Sequence, residues 1–339
     1  MFSIGKTVYL LHEGTYIYCD DSAITFKLAD GRKQSLAYHV VSEIIIFYNT
    51  TLSVYLMKMC TEHHIIIHYV SPYGRYIGCF LGDYSGNVVL RKKQFEMLNE
   101  LDKSLDYVRN LLCAKFKNSI WTLQYFHHIK DNTAVKPVIK ELRNDVLLLR
   151  DMTSVNDMRL LEANAANSYF SVFDDLLKIS DADMQFAKRS RRPPLNNVNA
   201  LLSLFYTLAT SIADSALICR GLDSECGYLH VLRSGRRSLA CDLVEEFRSC
   251  VVDRFVIAII NRKEVVSSDF RHDNDGIRLS DDAKKRLFSK WEQYLDDTEV
   301  THMLYDKKLS LRCLFYEQAL LLAQYIRGDI SVYPPFFMK

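Results

Sequence analysis

The hydrophobic pattern of the sequence changes near residue 93, and this change limits the fold more than any other feature. Up to about residue 90 the apolar residues come in short runs, at 8–11, 16–18, 24–26, 44–48 and 65–70. Glycine, aspartate and proline separate these runs, as is typical of short β-strands. One segment, 52–62, differs because its apolar residues lie on one helical face, and there we predict a helix.

Beyond residue 93 the pattern is that of helices. No glycine occurs between residues 97 and 220, and apolar residues recur every three or four positions. One such stripe consists of Leu101, Leu105, Val108, Leu111 and Leu112. Because this spacing places side chains on one face of a helix, we predict an α+β protein. A small β-rich N-terminal domain, residues 1–92, is followed by a larger all-α domain, residues 93–339.

Size and composition exclude several classes of protein. The 339 residues, 49% of them hydrophobic, suffice for two folded domains and exclude a disordered chain. The 43 Lys and Arg nearly balance the 41 Asp and Glu, so net charge neither favours nor excludes a polyanionic partner. Nine cysteines without a CxxC pair argue against a zinc ribbon or a disulfide framework. Since no stretch approaches 18 uncharged apolar residues, we expect a cytoplasmic protein without a membrane span.

Positive charge is concentrated in two segments that interrupt the helical half. The first, residues 188–194, ends in two prolines, which exclude a helix there. The second, residues 227–238, contains two glycines. Both segments are predicted to be exposed loops, and their arginines are candidates for contacts with a polyanion. These are Arg189, Arg191 and Arg192 in the first loop and Arg233, Arg236 and Arg237 in the second.

A single glutamate, Glu162, lies on an otherwise small and apolar helical face. Ala165 and Ala166 follow it by one turn, and Met158 precedes it by one turn. A carboxylate buried there without a partner would be costly. It should therefore be protonated, meet a lysine or arginine, or hold a metal ion. From these residues alone, a structural ion pair is favoured over a catalytic role.

A second group of acids follows a histidine. Asp242, Glu245 and Glu246 lie three and four residues apart, so two carboxylates project from one helical turn. Acids in a first turn also suit the helix macrodipole without any further role. His230 precedes them in the glycine-containing loop. Glu162, the acids after His230 and the histidine itself would give two or three carboxylates and one imidazole. This set of ligands suits Mg²⁺ or Mn²⁺ better than a closed zinc site, which would use cysteine.

Several enzyme classes lose support because their motifs are absent. The sequence contains no glycine-rich P-loop, GxGxxG, GxSxG or HExxH pattern. Nucleotide hydrolysis and acyl transfer are therefore disfavoured. A divalent-metal site flanked by two arginine loops indicates phosphodiester chemistry on a nucleic acid instead.

Three blocks of the sequence closely resemble the CRISPR-associated endonuclease family of the adaptation module, the integrases of spacer acquisition. They are 161–170 around Glu162, 186–207 with the Pro-Pro segment and the helix after it, and 227–248 with His230 and the acidic helix. Residues 74–75, 86–91 and 333–336 also resemble the family, so the resemblance covers nearly the whole chain.

The resemblance implies a catalytic metal site formed by Glu162, His230 and Glu245, with Asp242 as a supporting acid and candidate further ligand. The 3′-hydroxyl of captured DNA would attack a phosphodiester at a CRISPR repeat boundary in an Mg²⁺- or Mn²⁺-dependent reaction. The loop arginines would hold DNA phosphates. Tyr169 and Tyr206 are further candidate DNA contacts, although helix aromatics are at least as often core residues.

The resemblance also implies partners. The first is double-stranded and branched DNA, and the second is another copy of the chain, bound through the β-rich domain to form a homodimer. The third is the second CRISPR-associated protein of the adaptation pair. Two homodimers of this chain would flank a dimer of that protein. Two other functions stay open. One is a metal-dependent nuclease on branched DNA, and the other is a non-catalytic DNA-binding subunit with a decayed site. The intact set of candidate ligands argues against decay.

Overall fold

The chain divides into two compact units that are not continuous in sequence. The computed structural model describes residues 5–20, 22–82, 87–126, 133–178, 181–190, 194–273, 276–302, 304 and 308–339. The first unit comprises Met1–Ser85 and Arg271–Glu292, and the second comprises Gly86–Phe270 and Gln293–Lys339. The first junction lies near the expected boundary at residue 92, whereas the return of residues 271–292 to the first unit was not expected.

The first unit is built mainly from strands. Up to residue 80 its elements are β1 (Lys6–Leu10), β2 (Thr15–Cys19), β3 (Ala23–Lys27), β4 (Lys33–Ala37), β5 (Val41–Ile46), β6 (Thr50–Leu52), α1 (Val54–Glu62), β7 (Ile66–Val70) and β8 (Tyr76–Phe80). The five apolar runs coincide with five of these strands, and the helix predicted within 52–62 is α1. Strands β4, β6 and β8 were not predicted, because none of the three contains a fully buried side chain.

Two four-stranded sheets and α1 share one hydrophobic core. The first sheet has the order β1-β5-β7-β8, with β8 antiparallel to β7 and the other pairs parallel. The second has the order β4-β3-β2-β6, with only the β2–β6 pair parallel. Side chains from both sheets and the helix, among them Ile17, Ile44 and Leu56, form a single buried cluster. Burial of each such side chain stabilises the unit by about 1.5–3 kcal/mol relative to exposure.

The remainder of the chain is mostly helical. Its elements are α2 (Val88–Glu96), α3 (Leu101–Phe126), α4 (Val135–Leu148), α5 (Val155–Ser171), α6 (Asn197–Cys219), α7 (Ser238–Val244), α8 (Arg254–Asn261), β9 (Phe270–Asp273), β10 (Gly276–Leu279), α9 (Asp281–Asp297), β11 (Glu299–Thr301), β12 (Lys308–Ser310) and α10 (Leu311–Arg327). A π-helix, Arg248–Asp253, joins the turn after α7 to α8. The predicted fold class is thereby confirmed. The all-α description of the second half needs one correction, since β9 pairs with β10 and β11 with β12.

Residues 271–292 belong to the first unit because an amphipathic helix there packs on its strands. The ring of Phe288 lies 4.5 Å from that of Tyr9, and Tyr48 donates a hydrogen bond of 2.5 Å to Asp281. Phe288 and Trp291 are almost fully buried. Partners more than 200 positions apart carry no local signal, which is why this return was missed.

Helix α6 lies in the core of the second unit. Among the described residues it is the one helix long and apolar enough to cross a membrane by length and composition. However, 78% of its most apolar 18-residue window is buried inside the structure. Helix α6 also packs against α7 and α10, and this burial is typical of a core helix.

Candidate metal centre

Glu162 lies on the buried face of α5. Met158, Ala165 and Tyr169 bury the same face, and α5 packs against α3. The Glu162 side chain remains 25% exposed and forms an ion pair with Lys115 of α3. The carboxylate thus has a lysine partner, one of the three outcomes expected from its apolar surroundings.

Lys115, which the sequence patterns did not predict, links two of the candidate ligands. Its Nζ contacts Oε1 of Glu162 and lies 2.7 Å from Oε2 of Glu245. The lysine side chain is only 12% exposed, because position 115 continues the apolar stripe of Leu111 and Leu112 by one turn. A positive charge within a buried stripe is unusual, and it was the signal that could have identified this residue.

Glu245 is buried at the end of α7 among positive groups. Its Oε1 lies 3.0 Å from Nη2 of Arg248 and 3.7 Å from Nε2 of His230, and its Oε2 faces Lys115. Burial alone would raise the pKa of Glu245, but the charges of Arg248 and Lys115 together hold it well below its usual range. Glu245 is therefore ionised near neutral pH.

Asp242 orients His230 by accepting hydrogen bonds from its backbone and its ring. Its Oδ2 accepts the amides of Tyr228 and Leu229 at 2.6 and 3.0 Å, and its Oδ1 accepts the amide and Nδ1 of His230 at 2.9 and 2.7 Å. With Nδ1 held in this way, Nε2 is left to face Glu245. Both oxygens of Asp242 thus accept hydrogen bonds from this loop, as suits the supporting acid expected from the sequence. Its role as a further ligand stays a prediction.

Residues 223–230, the histidine loop, are held from two other sides. Gln94, fully buried on α2, exchanges hydrogen bonds of 2.8 and 2.9 Å with the backbone of Asp223. Arg159, one turn before Glu162, donates to two carbonyl groups of the loop. Gly227 packs so closely on α7 that a Cβ there would lie 2.6 Å from the backbone of Ser238. None of these supports was predicted, since each joins segments distant in sequence.

Glu246 points away from the site into a buried network. Its Oε1 accepts the Tyr333 hydroxyl at 2.5 Å, and its Oε2 accepts the Phe336 amide and Gln318 Nε2 at 2.7 and 2.8 Å. Burial raises its pKa to about 7. The backbone turns between α7 and the π-helix, so Glu245 and Glu246 face opposite directions. Such π-helical segments are frequent at functional sites.

Tyr169 and Tyr206, the candidate DNA contacts, are core residues. They are 4% and 8% exposed, and their hydroxyls donate to the two oxygens of Asp253 at 3.0 and 2.5 Å. Burial raises the pKa of Asp253 to about 6, although both hydrogen bonds oppose this. The structure therefore favours the core interpretation over stacking on DNA, because these rings have no free face at the surface.

The first arginine loop is described only in part. Arg189 donates a hydrogen bond of 2.8 Å to Asn199, and its guanidinium lies 5.3 Å from the ring centre of Tyr206. These contacts hold the loop against α6. Arg191 and Arg192 lie outside the described residues, so their role as DNA contacts stays a prediction.

The arginines of the second loop have different surroundings. Arg237 forms an ion pair with Asp214, which is fully buried on α6. Arg236 is half-buried, and Arg233 is exposed. Arg237 thus has a structural partner, whereas Arg233 and Arg236 are accessible to a phosphate.

The candidate ligands, two carboxylates and one imidazole, are of the types that a hard divalent cation binds. In the structure the ammonium group of Lys115 lies between the two carboxylates. Within the described ranges, no three His, Cys, Asp or Glu side chains stand close enough together to hold an ion. The Lys115 ammonium lies between Glu162 and Glu245, and Nε2 of His230 lies 3.7 Å from Glu245. Ligands of Mg²⁺ or Ca²⁺ lie at about 2.0–2.6 Å. The ammonium nitrogen occupies the position that a cation bridging the two carboxylates would take.

A small cavity adjoins the site. It has a volume of about 30 Å³, and Glu162, Lys115, Ser249 and Asp253 are among its lining residues. This space admits a water molecule but no nucleotide, since ligand pockets usually measure about 300–1,000 Å³. A large substrate must approach from the surface, where the side chains of Glu162 and His230 remain partly exposed.

The family model described as CRISPR associated protein Cas1 matches residues 8–293. This range contains Glu162, His230, Asp242 and Glu245. The chain belongs to the Cas1 family. The family recognised from the three sequence blocks is therefore confirmed.

Two Cas1 relatives match over their full length. The chain is 34% identical over 339 residues to the CRISPR-associated endonuclease Cas1 1 of Chlorobaculum tepidum, which covers 98% of both proteins. It is 36% identical over 350 residues to the CRISPR-associated endonuclease Cas1 2 of Rhodospirillum rubrum, which covers 100% of both.

Solved structures share the Cas1 fold. A Cas1 protein from Thermotoga maritima matches with a TM-score of 0.83 at 24% identity, covering 97% of this chain and 99% of that one. A casposase bound to its integration product matches with a TM-score of 0.82 at 18% identity, covering 98% and 94%. These identities establish the common fold and nothing further.

Proposed function

We propose that this Cas1 protein is a metal-dependent DNA integrase of CRISPR spacer acquisition. The observation that carries the proposal is that Glu162 and Glu245 both contact the ammonium group of Lys115, while Nε2 of His230 lies 3.7 Å from Glu245. The relatives named endonucleases and the casposase bound to an integration product support the same reaction class.

The reaction is a transesterification. The 3′-hydroxyl of captured DNA forms a new P–O bond at a repeat boundary, and the 3′-oxygen of the repeat strand leaves. Mg²⁺ or Mn²⁺ held by Glu162, His230 and Glu245 supplies Lewis-acid chemistry, which lowers the pKa of the attacking hydroxyl and offsets charge on the phosphate. One phosphodiester replaces another, so no nucleotide cofactor is needed.

The surrounding side chains prepare these ligands. Asp242 keeps the proton of His230 on Nδ1, so that Nε2 is free to bind. Arg248 keeps Glu245 ionised. Arg233 and Arg236 contact DNA phosphates, a contribution that depends on salt and not on base sequence.

The partners follow from the same assignment. The substrates are double-stranded and branched DNA, and the protein acts in the cytoplasm. The first unit provides the homodimer contact. A structural neighbour is recorded in a Cas6-RT-Cas1–Cas2 complex, and we extend the Cas2 partner to this chain as the second protein of the adaptation pair.

The test is an integration assay with a repeat-bearing plasmid and labelled duplex DNA, with and without Mn²⁺ and the Cas2 partner. Joining should require Mn²⁺ and a 3′-hydroxyl, and Glu162→Ala should abolish it while DNA binding persists. Glu141→Ala is the matched control, because Glu141 is an exposed carboxylate whose contact is Ser168 and not the site.

The outcomes separate the alternatives. If the labelled duplex DNA ends in a 3′-dideoxynucleotide, it cannot be joined to the plasmid. Nicking of the plasmid or of branched DNA under this condition indicates a nuclease. DNA binding without joining or nicking, under all metal conditions, indicates a non-catalytic subunit. Unimpaired joining by Glu162→Ala refutes the assignment of the site.

A further inference from the structure

Lys115 has a position that the ligand set alone does not explain. It comes from the buried stripe of α3, and its ammonium contacts one oxygen of Glu162 and one oxygen of Glu245 at 2.7 Å. Arg248 already lies 3.0 Å from the other oxygen of Glu245. Glu245 thus has a second cationic partner, and the particular feature of Lys115 is that it joins the two carboxylates.

The distance between the joined oxygens is suited to a divalent ion. Because both oxygens touch one nitrogen, they are separated by at most two contact lengths. Two oxygens bound to one ion at about 2.0–2.6 Å span a similar distance. Without a cation between them, the two carboxylates would repel each other and separate.

The charges of the site lead to the same conclusion. Glu162 and Glu245 carry two negative charges, and Lys115 with Arg248 carries two positive charges. A divalent ion at the same carboxylates adds two positive charges to a balanced group. The lysine is the cation that can leave, since its four-carbon stem is flexible and its ammonium is a compact donor that also binds phosphate.

We propose that Lys115 is a resident cation that the metal replaces. Its ammonium holds Glu162 and Glu245 together in the metal-free protein, and it moves to a phosphate of the DNA when the divalent ion binds. This inference rests on the metal site proposed above and adds a further substrate-binding residue to it.

The test compares Lys115→Met with Lys117→Met. Lys117 is two residues along the same helix, is exposed, and has its Nζ over the ring of Phe337 at 4.6 Å, away from the carboxylates. Three quantities are measured for each variant. They are the Mn²⁺ affinity by calorimetry, the melting temperature with and without Mn²⁺, and the rate of strand transfer at saturating Mn²⁺.

We expect Lys115→Met to lower the melting temperature without metal and to bind Mn²⁺ about tenfold more tightly, because a competing cation is gone. At saturating Mn²⁺ its strand transfer should fall at least about tenfold, because one phosphate contact is lost. Lys117→Met should match the wild type in all three measurements.

Tighter metal binding combined with lower activity is what a merely structural lysine would not produce. Mn²⁺ affinity that is unchanged or weaker in Lys115→Met overturns the inference, as does wild-type strand transfer. If Lys115→Met does not fold, Lys115→Gln replaces it, since glutamine removes the charge and keeps a hydrogen-bond donor. The metal site itself is refuted if the wild type binds no Mn²⁺, or if it binds Mn²⁺ and Glu162→Ala binds it equally well. This outcome is distinct from failure of the lysine inference.

Discussion

Replacement of Asp253 by asparagine should make the second unit more stable at neutral pH. Burial raises the pKa of Asp253 from its usual 3.8 to about 6. The folded state therefore favours the protonated acid, and stability contributed by the proton is present below pH 3.8 and is lost as the pH rises to about 6. The difference between these two pKa values corresponds to roughly 3 kcal/mol.

Asparagine removes this cost and keeps the hydrogen bonds. Tyr169 and Tyr206 each face one oxygen of Asp253. A hydroxyl can accept as well as donate, so the tyrosine that meets the new amide nitrogen can reverse its role. We expect Asp253→Asn to match the wild type near pH 4 and to exceed its unfolding free energy by about 2 to 3 kcal/mol at pH 7.

The assay is urea unfolding at several pH values, followed by tryptophan fluorescence. The chain has two tryptophans, and Trp291 belongs to the first unit. In a Trp291→Phe background, Trp121 therefore reports the second unit alone. A difference between Asp253→Asn and Asp253 proteins that stays constant from pH 4 to pH 7 would refute the reasoning, because it would mean that Asp253 does not titrate differently on folding.

Two further predictions concern the histidine loop and the arginines. Asp242→Asn should weaken Mn²⁺ binding by about 10- to 100-fold, because it disturbs the tautomer of the histidine; calorimetry checks this, and unchanged affinity contradicts it. Arg237→Ala should lower the unfolding free energy by about 3 kcal/mol or more, since it leaves the buried charge of Asp214 without this ion pair. The double variant Arg233→Ala/Arg236→Ala should keep the wild-type stability. It should instead reduce the slope of log affinity for DNA against log salt concentration by up to about 0.9 per lost contact. Equal effects of these changes on stability would contradict that distinction.

The sequence sufficed for the fold class because its patterns are local. Short apolar runs predicted β1, β2, β3, β5 and β7, and the stripe from Leu101 to Leu112 predicted α3. Strand β4, with the sequence KQSLA, carries no such pattern because it has no buried side chain. The hairpins after residue 270 are too short for periodicity to be detected.

The candidate ligands were found by residue type and family resemblance, whereas their supports were not. Glu162 and Glu245 both contact Lys115, and Nε2 of His230 lies 3.7 Å from Glu245, while their role as metal ligands stays a prediction. Lys115 and Gln94 act through contacts with segments more than 40 residues away, and nothing in their neighbours along the chain specifies these partners. Tyr169 and Tyr206 likewise could be assigned to the core only once Asp253 was seen between them.

The divided first unit has a consequence for synthesis on the ribosome. The strands up to Phe80 are made first, but the helix that carries Phe288 and Trp291 to them emerges about 200 residues later. At about 5–20 residues per second, the strands wait roughly 10 to 40 s with an apolar surface uncovered. During this interval the second unit's helices are also being made. Completion of the first unit is thus tied to the emergence of residue 292, and a nascent chain stopped before that point presents an aggregation-prone face to chaperones.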